Sequence, residues 1–315
     1  MTSRVPSHLA TPPSRPLRAA RDLAPRRPIV VRRFAGPTAQ VGAFARPIRV
    51  AHLTDQHVGW ATPHVVQQRA IERVLAIAPD VVLLTGDYIG HRLEYLETLA
   101  ALLGRIPLPM VGVLGNHDHW TGADAVRRTL DRAGVAVLDN ASTVLTVRGE
   151  RLQVVGLDDG VTGHADRRRA TRGLDRRLPT VGLSHFPEEA DGLWASGVPL
   201  VLSGHTHSGQ LTVGGIHRLT LGALGGQRYI HGLYGCRAGR RAAGAVYVSA
   251  GIGAARVDLR LGERARREIA VFELGAAPGA FPEHHAEQRP ATARSRRSAP
   301  PAQCAAPPPS PRPGQ

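Results

Sequence analysis

The sequence of 315 residues contains no lysine, so its 40 basic residues other than histidine are all arginines. It also contains only two cysteines, Cys236 and Cys304. Two cysteines cannot build a disulfide framework or a thiolate metal site of the zinc-finger kind. The chain lacks any run of about 18 apolar residues, the length that a membrane-spanning helix needs. A small disulfide-rich protein, a zinc finger and a membrane-spanning helix are therefore not expected.

Both ends of the chain are rich in proline, alanine and arginine and have few periodic apolar residues. Residues 1–46 hold nine arginines against one aspartate, and residues 276–315 hold five arginines against two glutamates. Such segments cannot bury enough apolar surface to offset the entropy of ordering, so both are predicted to be disordered. The residues between them, 47–275, suffice for one well-buried α/β domain.

Most of the formal net charge of +15 lies in these two ends, which leaves about +4 for residues 47–275. Basic ends can contact a membrane surface or nucleic acid, but solvated tails are the simpler interpretation. Peripheral membrane contact through the tails stays open, and no specific nucleic-acid partner is expected. Arg32 and Arg33 are not followed by the apolar core of an export signal, so a cytoplasmic location is expected.

From residue 47 onward, short β-branched runs alternate with helical patterns, as in an α/β protein. Helices are predicted over 63–78, 93–103 and 121–133. Strands are predicted over 48–54, 81–84, 109–114, 135–137, 143–147, 152–157, 180–184, 200–202, 245–249 and 269–274. The close spacing of the strands from 135 to 157 favours a second sheet. The order predicts an α/β fold with two sheets packed face to face and helices outside.

Potential metal ligands follow five of these strands. The clusters are Asp55-Gln56-His57, Gly86-Asp87, Gly115-Asn116-His117-Asp118, His185 and Gly204-His205-Thr206-His207. Residues two apart in extended chain point to the same side, so the outer residues of an Asp-x-His or His-x-His segment can meet one ion. Ligands collect at the carboxyl ends of strands in α/β sheets. The five clusters together therefore predict a metal site, and imidazole with carboxylate suits manganese, iron or zinc.

These clusters, in this order, resemble the signature of the calcineurin-like metallophosphoesterases: D-x-H, G-D, G-N-H-D/E, a lone histidine and G-H-x-H. The resemblance covers residues 48–274. The segment 202–210, LSGHTHSGQ, resembles the LSGHTHGGQ of one bacterial branch, whose members are often membrane-associated phosphodiesterases. The resemblance implies a four-layer α/β/β/α sandwich of two mixed sheets, and it implies a phosphoesterase with two metal ions. The implied substrate is a phosphorylated small molecule or a lipid-linked phosphate.

The resemblance also implies how the residues divide between two divalent metal ions. One ion would be held by Asp55, His57, Asp87 and His207. The other would be held by Asp87, Asn116, His185 and His205. Asp87 would then bridge both ions. One departure is Ala250, since the branch usually carries an arginine at this position of an S-R-G-I-G segment.

His117 and Asp118 are the predicted catalytic residues. Asn116 is assigned to the metals, which leaves His117 to face the substrate and assist the departing oxygen. Asp118 is predicted to hold the ring of His117 in the useful tautomer. Two ions about 3.5–4 Å apart would activate a shared hydroxide for attack on phosphorus.

The remaining histidines carry weaker expectations. His52 is predicted to be a packed core residue, and His164 to be solvated. For His119 and His231 two interpretations stay open: the side chain lines the site, or it packs beside the site.

Two other functions stay open at this stage. Some proteins with this signature cut DNA, and others act as metal-binding scaffolds without catalysis. A nuclease is disfavoured because no basic groove rich in aromatic residues is evident. A scaffold is disfavoured because the set of predicted ligands is complete and His117 is present.

Overall fold

The computed structural model describes residues 28–37, 40–209, 226–235, 244–254, 260–277 and 280. The α-helices are α1 (His64–Ile77), α2 (Leu96–Leu103), α3 (Asn116–Arg132), α4 (Arg167–Ala170) and α5 (Ala190–Ala195). The strands are β1 (Val30–Ala35), β2 (Ile48–Leu53), β3 (Val81–Thr85), β4 (Met110–Val113), β5 (Val135–Val137), β6 (Ala141–Val147), β7 (Glu150–Leu157), β8 (Thr180–Ser184), β9 (Leu200–Ser203), β10 (Gly232–Gly235), β11 (Ala245–Val248) and β12 (Glu268–Leu274).

The strands form two six-stranded mixed sheets. The first has the order β1-β12-β2-β3-β4-β5, and only β12 and β2 pair antiparallel in it. The second has the order β10-β11-β9-β8-β7-β6, with antiparallel pairs at its two edges and parallel pairs between them. The buried strands β3 and β9 are continuous apolar runs, as expected where a parallel strand is covered on both faces.

Three apolar clusters show how the layers stack. One packs α1, α2 and α3 on the outer face of the first sheet, through residues such as Val74, Leu103 and Leu130. A second fills the space between the two sheets, and a third packs α4 and α5 on the outer face of the second sheet. The predicted four-layer α/β/β/α sandwich is therefore confirmed.

Strand β1 corrects the prediction of disorder for residues 30–35, whereas the prediction for residues 1–27 lies outside the described residues. Its six residues pair in parallel with β12, from Val30 opposite Glu268 to Ala35 opposite Glu273. Phe34 is buried against Tyr247 and Phe272 between the sheets. The partner strand follows more than 200 residues later, so local periodicity could not reveal this pairing. The prediction for residues 276–315 lies outside the described residues, apart from 276–277 and 280.

Two further boundaries differ from the predictions. The structure adds β5 to the edge of the first sheet beside β4, although its close spacing had favoured the second sheet. Helix α3 begins at Asn116, five residues before the predicted start, and Gly122 interrupts it with a non-helical backbone. The Asn-His-Asp cluster therefore lies in the first turn of a helix. Within the described residues, no helix has the length and apolarity needed to cross a membrane.

The topology brings the predicted clusters to one place. Strands β2, β3 and β4 are neighbours in the first sheet, and β8 and β9 are neighbours in the second. Within each sheet these strands run parallel to one another, and the carboxyl ends of all five meet at one edge of the sandwich. Each predicted cluster follows one of these five strand ends.

Candidate metal centre

The loops that carry the predicted ligands adopt an uncommon backbone conformation. Asp55, His57, Asp87, His205 and His207 all have positive φ, between 41° and 71°. This left-handed region is unfavourable for residues with a side chain, and such strain clusters at functional sites. The side chains of Asp55 and His57 do converge, but through left-handed turns and not through the extended chain that the sequence predicted.

Glycines next to these residues allow the loops to approach each other closely. Gly86 has φ of 85°, and a Cβ there would lie 2.5 Å from the backbone nitrogen of Gly115. A Cβ on Gly204 would overlap the carboxylate of Asp55. Only glycine therefore fits at these two positions while the clusters remain in contact.

Four side chains form one compact, buried group: Asp55, His57, Asp87 and His207. Their potential ligand atoms all lie within 4.8 Å of one another. The Nε2 atoms of His57 and His207 are 2.9 Å apart. Asp55 Oδ1 lies 3.3 Å from Nε2 of His207, and Asp87 Oδ2 lies 3.4 Å from Nε2 of His57. These four residues could hold one metal ion.

A second group lies on the other side of Asp87. Its Oδ2 atom is 3.3 Å from Nε2 of His185. Asn116 Oδ1 lies 3.1 Å from that same Nε2 atom and 2.9 Å from Nδ1 of His205. Nδ1 of His185 lies 2.7 Å from the carbonyl oxygen of Thr85, to which it donates, so Nε2 is the atom free to act as a ligand. The seven predicted metal ligands are therefore together, and their division between two ions stays a prediction.

Burial and mutual charge shape the ionisation of the first group. Burial lowers the pKa of His57 to about 3, and burial together with His57 lowers the pKa of His207 well below the ordinary value. The pKa of Asp55 is raised to about 7, chiefly by burial. His185 opposes this shift, and the charge of Asp87 adds to it. Burial also opposes ionisation of Asp87, but His185 and His57 outweigh it and its pKa lies well below the ordinary range.

The donor set fits a divalent cation. With lowered pKa values, both His57 and His207 are neutral, and their facing Nε2 atoms at 2.9 Å need a proton or a cation to avoid lone-pair repulsion. The carboxylates of Asp55 and Asp87 add negative charge that is costly to bury unless it is paired. Imidazole nitrogen with carboxylate oxygen is a donor set typical of manganese, iron and zinc.

Asp118 does not orient His117, which corrects the prediction of its catalytic role. Its carboxylate accepts hydrogen bonds from the backbone N–H groups of Asp87 at 2.8 Å, Tyr88 at 2.9 Å and Gly115 at 2.9 Å. Successive residues of a helix point about 100° apart, so neighbours in the first turn of α3 do not face each other. Asp118 therefore holds the loop that presents Asp87.

His117 lies beside the first group without joining it. Its ring is 4.7 Å from that of His57, 4.9 Å from that of His91 and 5.1 Å from that of Trp120. Burial lowers its pKa, although it remains partly exposed. Its backbone N–H donates to Asp87 Oδ1 at 2.9 Å, and Nδ1 of its ring lies 3.4 Å from the carbonyl oxygen of Gly90.

Sequence reasoning missed the residues that support the loop behind Asp55. The backbone N–H of Gly253 donates to the carbonyl of Asp55 at 2.6 Å. Arg260 donates to the carbonyl oxygens of Ala250, at 2.8 Å, and of Gly253. The buried carboxylate of Glu268 accepts from the N–H of Ala250 at 3.0 Å. Arginine is therefore present behind this loop even though residue 250 is alanine, and no local sequence pattern indicated it.

The other histidines resolve as follows. His52 is fully buried and lies 2.8 Å from the hydroxyl of Thr85, which confirms the core prediction. His231 is buried against Glu268 at 3.1 Å and supports the fold behind the site. His119 lies 2.8 Å from Asp158, and its ring stacks on that of the exposed His164 at 4.2 Å.

The contact between His119 and Asp158 gives a pH-dependent prediction. Burial disfavours both charges, but Asp158 raises the pKa of His119 and His119 lowers the pKa of Asp158. The histidine contribution is therefore complete below the ordinary histidine pKa and is lost as the pH rises through the raised value. The carboxylate contribution is complete above the ordinary aspartate pKa and is lost as the pH falls. The pair therefore stabilises the fold most at pH values between the ordinary aspartate pKa and the ordinary histidine pKa.

An Asp158→Asn substitution is expected to lower the free energy of unfolding by about 1–2 kcal/mol at pH 6 and by less at pH 9. Urea unfolding at the two pH values measures this difference. Asp175→Asn is the matched control, since Asp175 pairs with Arg177 at 2.8 Å on the surface and this pair contains no histidine. Equal destabilisation by Asp158→Asn at both pH values would contradict the prediction.

Buried aspartate and histidine side chains converge at the strand ends of a four-layer sandwich, which defines a protein with a site for a metal ion. The model of the calcineurin-like phosphoesterases matches residues 48–209, just over half of the chain. The protein belongs to this family, whose members are metal-dependent hydrolases of phosphoric esters.

Two curated relatives agree. The chain is 31% identical over 202 residues to YkuE of Bacillus subtilis, an uncharacterized metallophosphoesterase, with 62% of this chain and 68% of YkuE covered. It is 28% identical over 236 residues to the phosphodiesterase YaeI of Escherichia coli, with 73% of this chain and 83% of YaeI covered. The predicted resemblance is therefore confirmed.

Among solved structures, the NAD nucleotidase of Haemophilus influenzae matches with a TM-score of 0.41 and 16% identity. The match covers 51% of this chain and 38% of the nucleotidase, so this chain spans about two fifths of that protein's length.

Proposed function

We propose that this protein is a phosphodiesterase that uses two divalent metal ions. One observation carries the proposal: Asp87 Oδ2 lies 3.4 Å from Nε2 of His57 and 3.3 Å from Nε2 of His185. These nitrogens belong to two separate groups of converging ligand atoms. A single carboxylate oxygen between two such groups is suited to be shared by two cations, as in the two-metal sites of phosphatases and nucleases.

The proposed division of ligands follows the two groups. The first ion would be held by Asp55, His57, Asp87 and His207. The second would be held by Asp87, Asn116, His185 and His205. Manganese, iron and zinc all accept this mixture of imidazole, carboxylate and amide oxygen. The deprotonated state that these ligands need is already favoured in His57, His205 and His207, whose pKa values are lowered first by burial. Burial also acts to lower the pKa of His185, but the charge of Asp87 outweighs it and raises that pKa to about 10, so His185 would release a proton when it binds a cation.

When bound, two divalent ions polarise phosphoryl oxygens and lower the pKa of water, which supplies the nucleophile. The protein's own groups do the rest. The ring of His117, which lies 4.7 Å from that of His57, is placed to give a proton to the departing oxygen of the ester. Asp118 fixes the backbone of Asp87 and Gly115, so the shared carboxylate keeps its position. The buried walls of both groups limit the access of bulk water.

A diester is the proposed substrate class, either in a phosphorylated small molecule or in a lipid-linked phosphate. The relative from Escherichia coli is named a phosphodiesterase, which supports this choice. A pyrophosphate substrate has the same chemistry at phosphorus and differs only in its leaving group. The two are separated by experiment.

Hydrolysis of three model substrates in the presence of manganese tests the proposal. They are bis(p-nitrophenyl) phosphate, p-nitrophenyl phosphate and a nucleotide sugar with a pyrophosphate linkage. We expect the diester to be cleaved, the monoester to be cleaved far more slowly, and chelation to abolish both activities. Cleavage of the monoester alone would overturn the diester assignment. No hydrolysis of any substrate by metal-loaded protein would favour a scaffold.

A further inference from the structure

A cleft of about 470 Å³ opens on the surface between α3 and the loop that follows β7, and we call it the histidine cleft. It is lined by His119, Arg127, Arg128 and His164, together with residues 122–125. None of these residues takes part in the proposed metal chemistry. The cleft is therefore a separate candidate for binding a ligand.

The histidine cleft lies next to the second group of predicted ligands. His119 follows Asn116 by three residues at the start of α3, and residues three apart on a helix lie on one face, with their Cβ atoms about 5–6 Å apart. Strands β7 and β8 are parallel neighbours with level ends, so Asp158 after β7 lies beside His185 after β8. Asp158 in turn contacts His119 at 2.8 Å. A substrate held at the second group is therefore within reach of the cleft.

Two buried carboxylates hold the histidines of the cleft in fixed orientations. Nε2 of His119 donates to Asp158 Oδ1 at 2.8 Å. The hydroxyl of Thr162 donates to Asp159 Oδ2 at 2.7 Å, so it accepts from Nδ1 of His164 at 2.8 Å. These contacts fix the tautomers and leave Nδ1 of His119 and Nε2 of His164 for a ligand. Because the two rings stack with their centroids 4.2 Å apart, one ligand can contact both.

The charges around the histidine cleft favour an anion. Arg127 is already paired with three carboxylates, at 3.2–3.7 Å: Asp124, Asp139 and Asp158. Arg128 is exposed, and in the part of the chain that the structure describes it makes no ion pair. Burial opposes a charge on His119, but Asp158 outweighs burial and raises the pKa of that ring. The cleft therefore offers positive charge and hydrogen-bond donors to a ligand.

We propose that the histidine cleft binds a phosphate group of the substrate other than the one that is hydrolysed, with Arg128, His119 and His164 as its contacts. A phosphate group accepts paired hydrogen bonds from the planar guanidinium of arginine and single ones from protonated imidazole rings. This inference rests on the proposed function, which places the hydrolysed phosphate at the metal ions. It narrows the substrate to a diester or pyrophosphate that carries a further phosphate group.

Two diesters that differ only in this phosphate group test the assignment with the manganese-loaded full chain. They are the p-nitrophenyl ester of thymidine 5′-phosphate, with and without a further phosphate on the 3′-hydroxyl, and both release p-nitrophenol. We expect the KM of the 3′-phosphorylated diester to be at least about tenfold lower. Arg128→Gln should remove this preference. Arg73→Gln is the matched control and should retain it, because Arg73 is exposed on α1 and lies outside the cleft.

Binding of inorganic phosphate to the full chain in excess chelator gives a second readout that needs no hydrolysis. The imidazole resonances of His119 and His164 in NMR spectra should shift in a saturable way as phosphate is added. Arg128→Gln should weaken this binding at least about tenfold, and Arg73→Gln should bind like the wild type. Saturable shifts without hydrolysis of either diester would support the phosphate site and contradict the phosphodiesterase function instead.

Three results would overturn the proposal. The first is equal KM values for the two diesters. The second is a pair of histidine resonances that do not respond to phosphate, or that respond equally in Arg128→Gln. The third is phosphate that binds in the cleft and changes the rate with both diesters equally, which would assign the cleft to free phosphate and not to the substrate.

Discussion

The phosphodiesterase activity of an Asp87→Asn variant is expected to be at least about a thousandfold lower than that of the wild type. The Oδ2 atom of Asp87 lies between Nε2 of His57 and Nε2 of His185, and its Oδ1 atom accepts from the N–H of His117. Asparagine has nearly the same shape but carries no charge and only one acceptor oxygen. It therefore cannot serve two cations and a backbone donor at once.

Steady-state hydrolysis of bis(p-nitrophenyl) phosphate and the metal content of the purified protein measure this effect. We expect both to fall in Asp87→Asn, while the fold is retained because the side chain is isosteric. Asp175→Asn is the matched control, since Asp175 pairs with Arg177 at 2.8 Å on the surface. Activity of Asp87→Asn within about tenfold of the wild type would contradict the proposed sharing of this carboxylate.

The phosphodiesterase activity of a His117→Ala variant is expected to be about 10²- to 10⁴-fold lower than that of the wild type, while the variant keeps its metal. The ring of His117 lies 4.7 Å from that of His57, and Asp87 is contacted by the backbone N–H of residue 117, which alanine retains. The loss should therefore fall on proton transfer to the leaving oxygen and not on the ligands.

Hydrolysis of a series of diesters and the metal content of the purified variant together separate a role in proton transfer from a role in metal binding. Hydrolysis of diesters with poorer leaving groups should be affected more than hydrolysis of a p-nitrophenyl diester, because a poorer leaving group needs the proton more. His91→Ala is the matched control, since His91 lies 4.9 Å from His117 but is exposed and outside both groups of predicted ligands. Loss of metal from His117→Ala, or unchanged activity with all substrates, would contradict the assignment.

The sequence predicted the positions of the ligands because each of them directly follows a buried apolar strand. Strands such as 81–84 and 200–202 are short apolar runs whose carboxyl ends must meet at one edge of an α/β sandwich. The resemblance then supplied the grouping of Asp55, His57, Asp87 and His207, which the structure brings within 4.8 Å of one another. Metal ligands that lie at strand ends can therefore be predicted from the sequence before the fold is known.

What the sequence could not show depends on contacts between distant segments or on backbone conformation. Strand β1 is stabilised by β12, whose first residue, Glu268, is more than 200 residues away. The sequence predicts that Asp118 orients His117, as carboxylates commonly do, yet the start of α3 turns its carboxylate towards the loop of Asp87. Arg260 reaches the loop at Ala250 only through the folded chain. Positive φ at Asp55 and His57 likewise follows from the packing of the loops.

The most direct test of the central claim is a titration of metal-free protein with manganese while diester hydrolysis is followed. We expect no hydrolysis in excess chelator. As manganese is added, the rate of hydrolysis should rise and reach its plateau at about two ions per chain, as two-metal chemistry requires. Hydrolysis that persists in chelator, or a plateau at one ion per chain, would contradict the account.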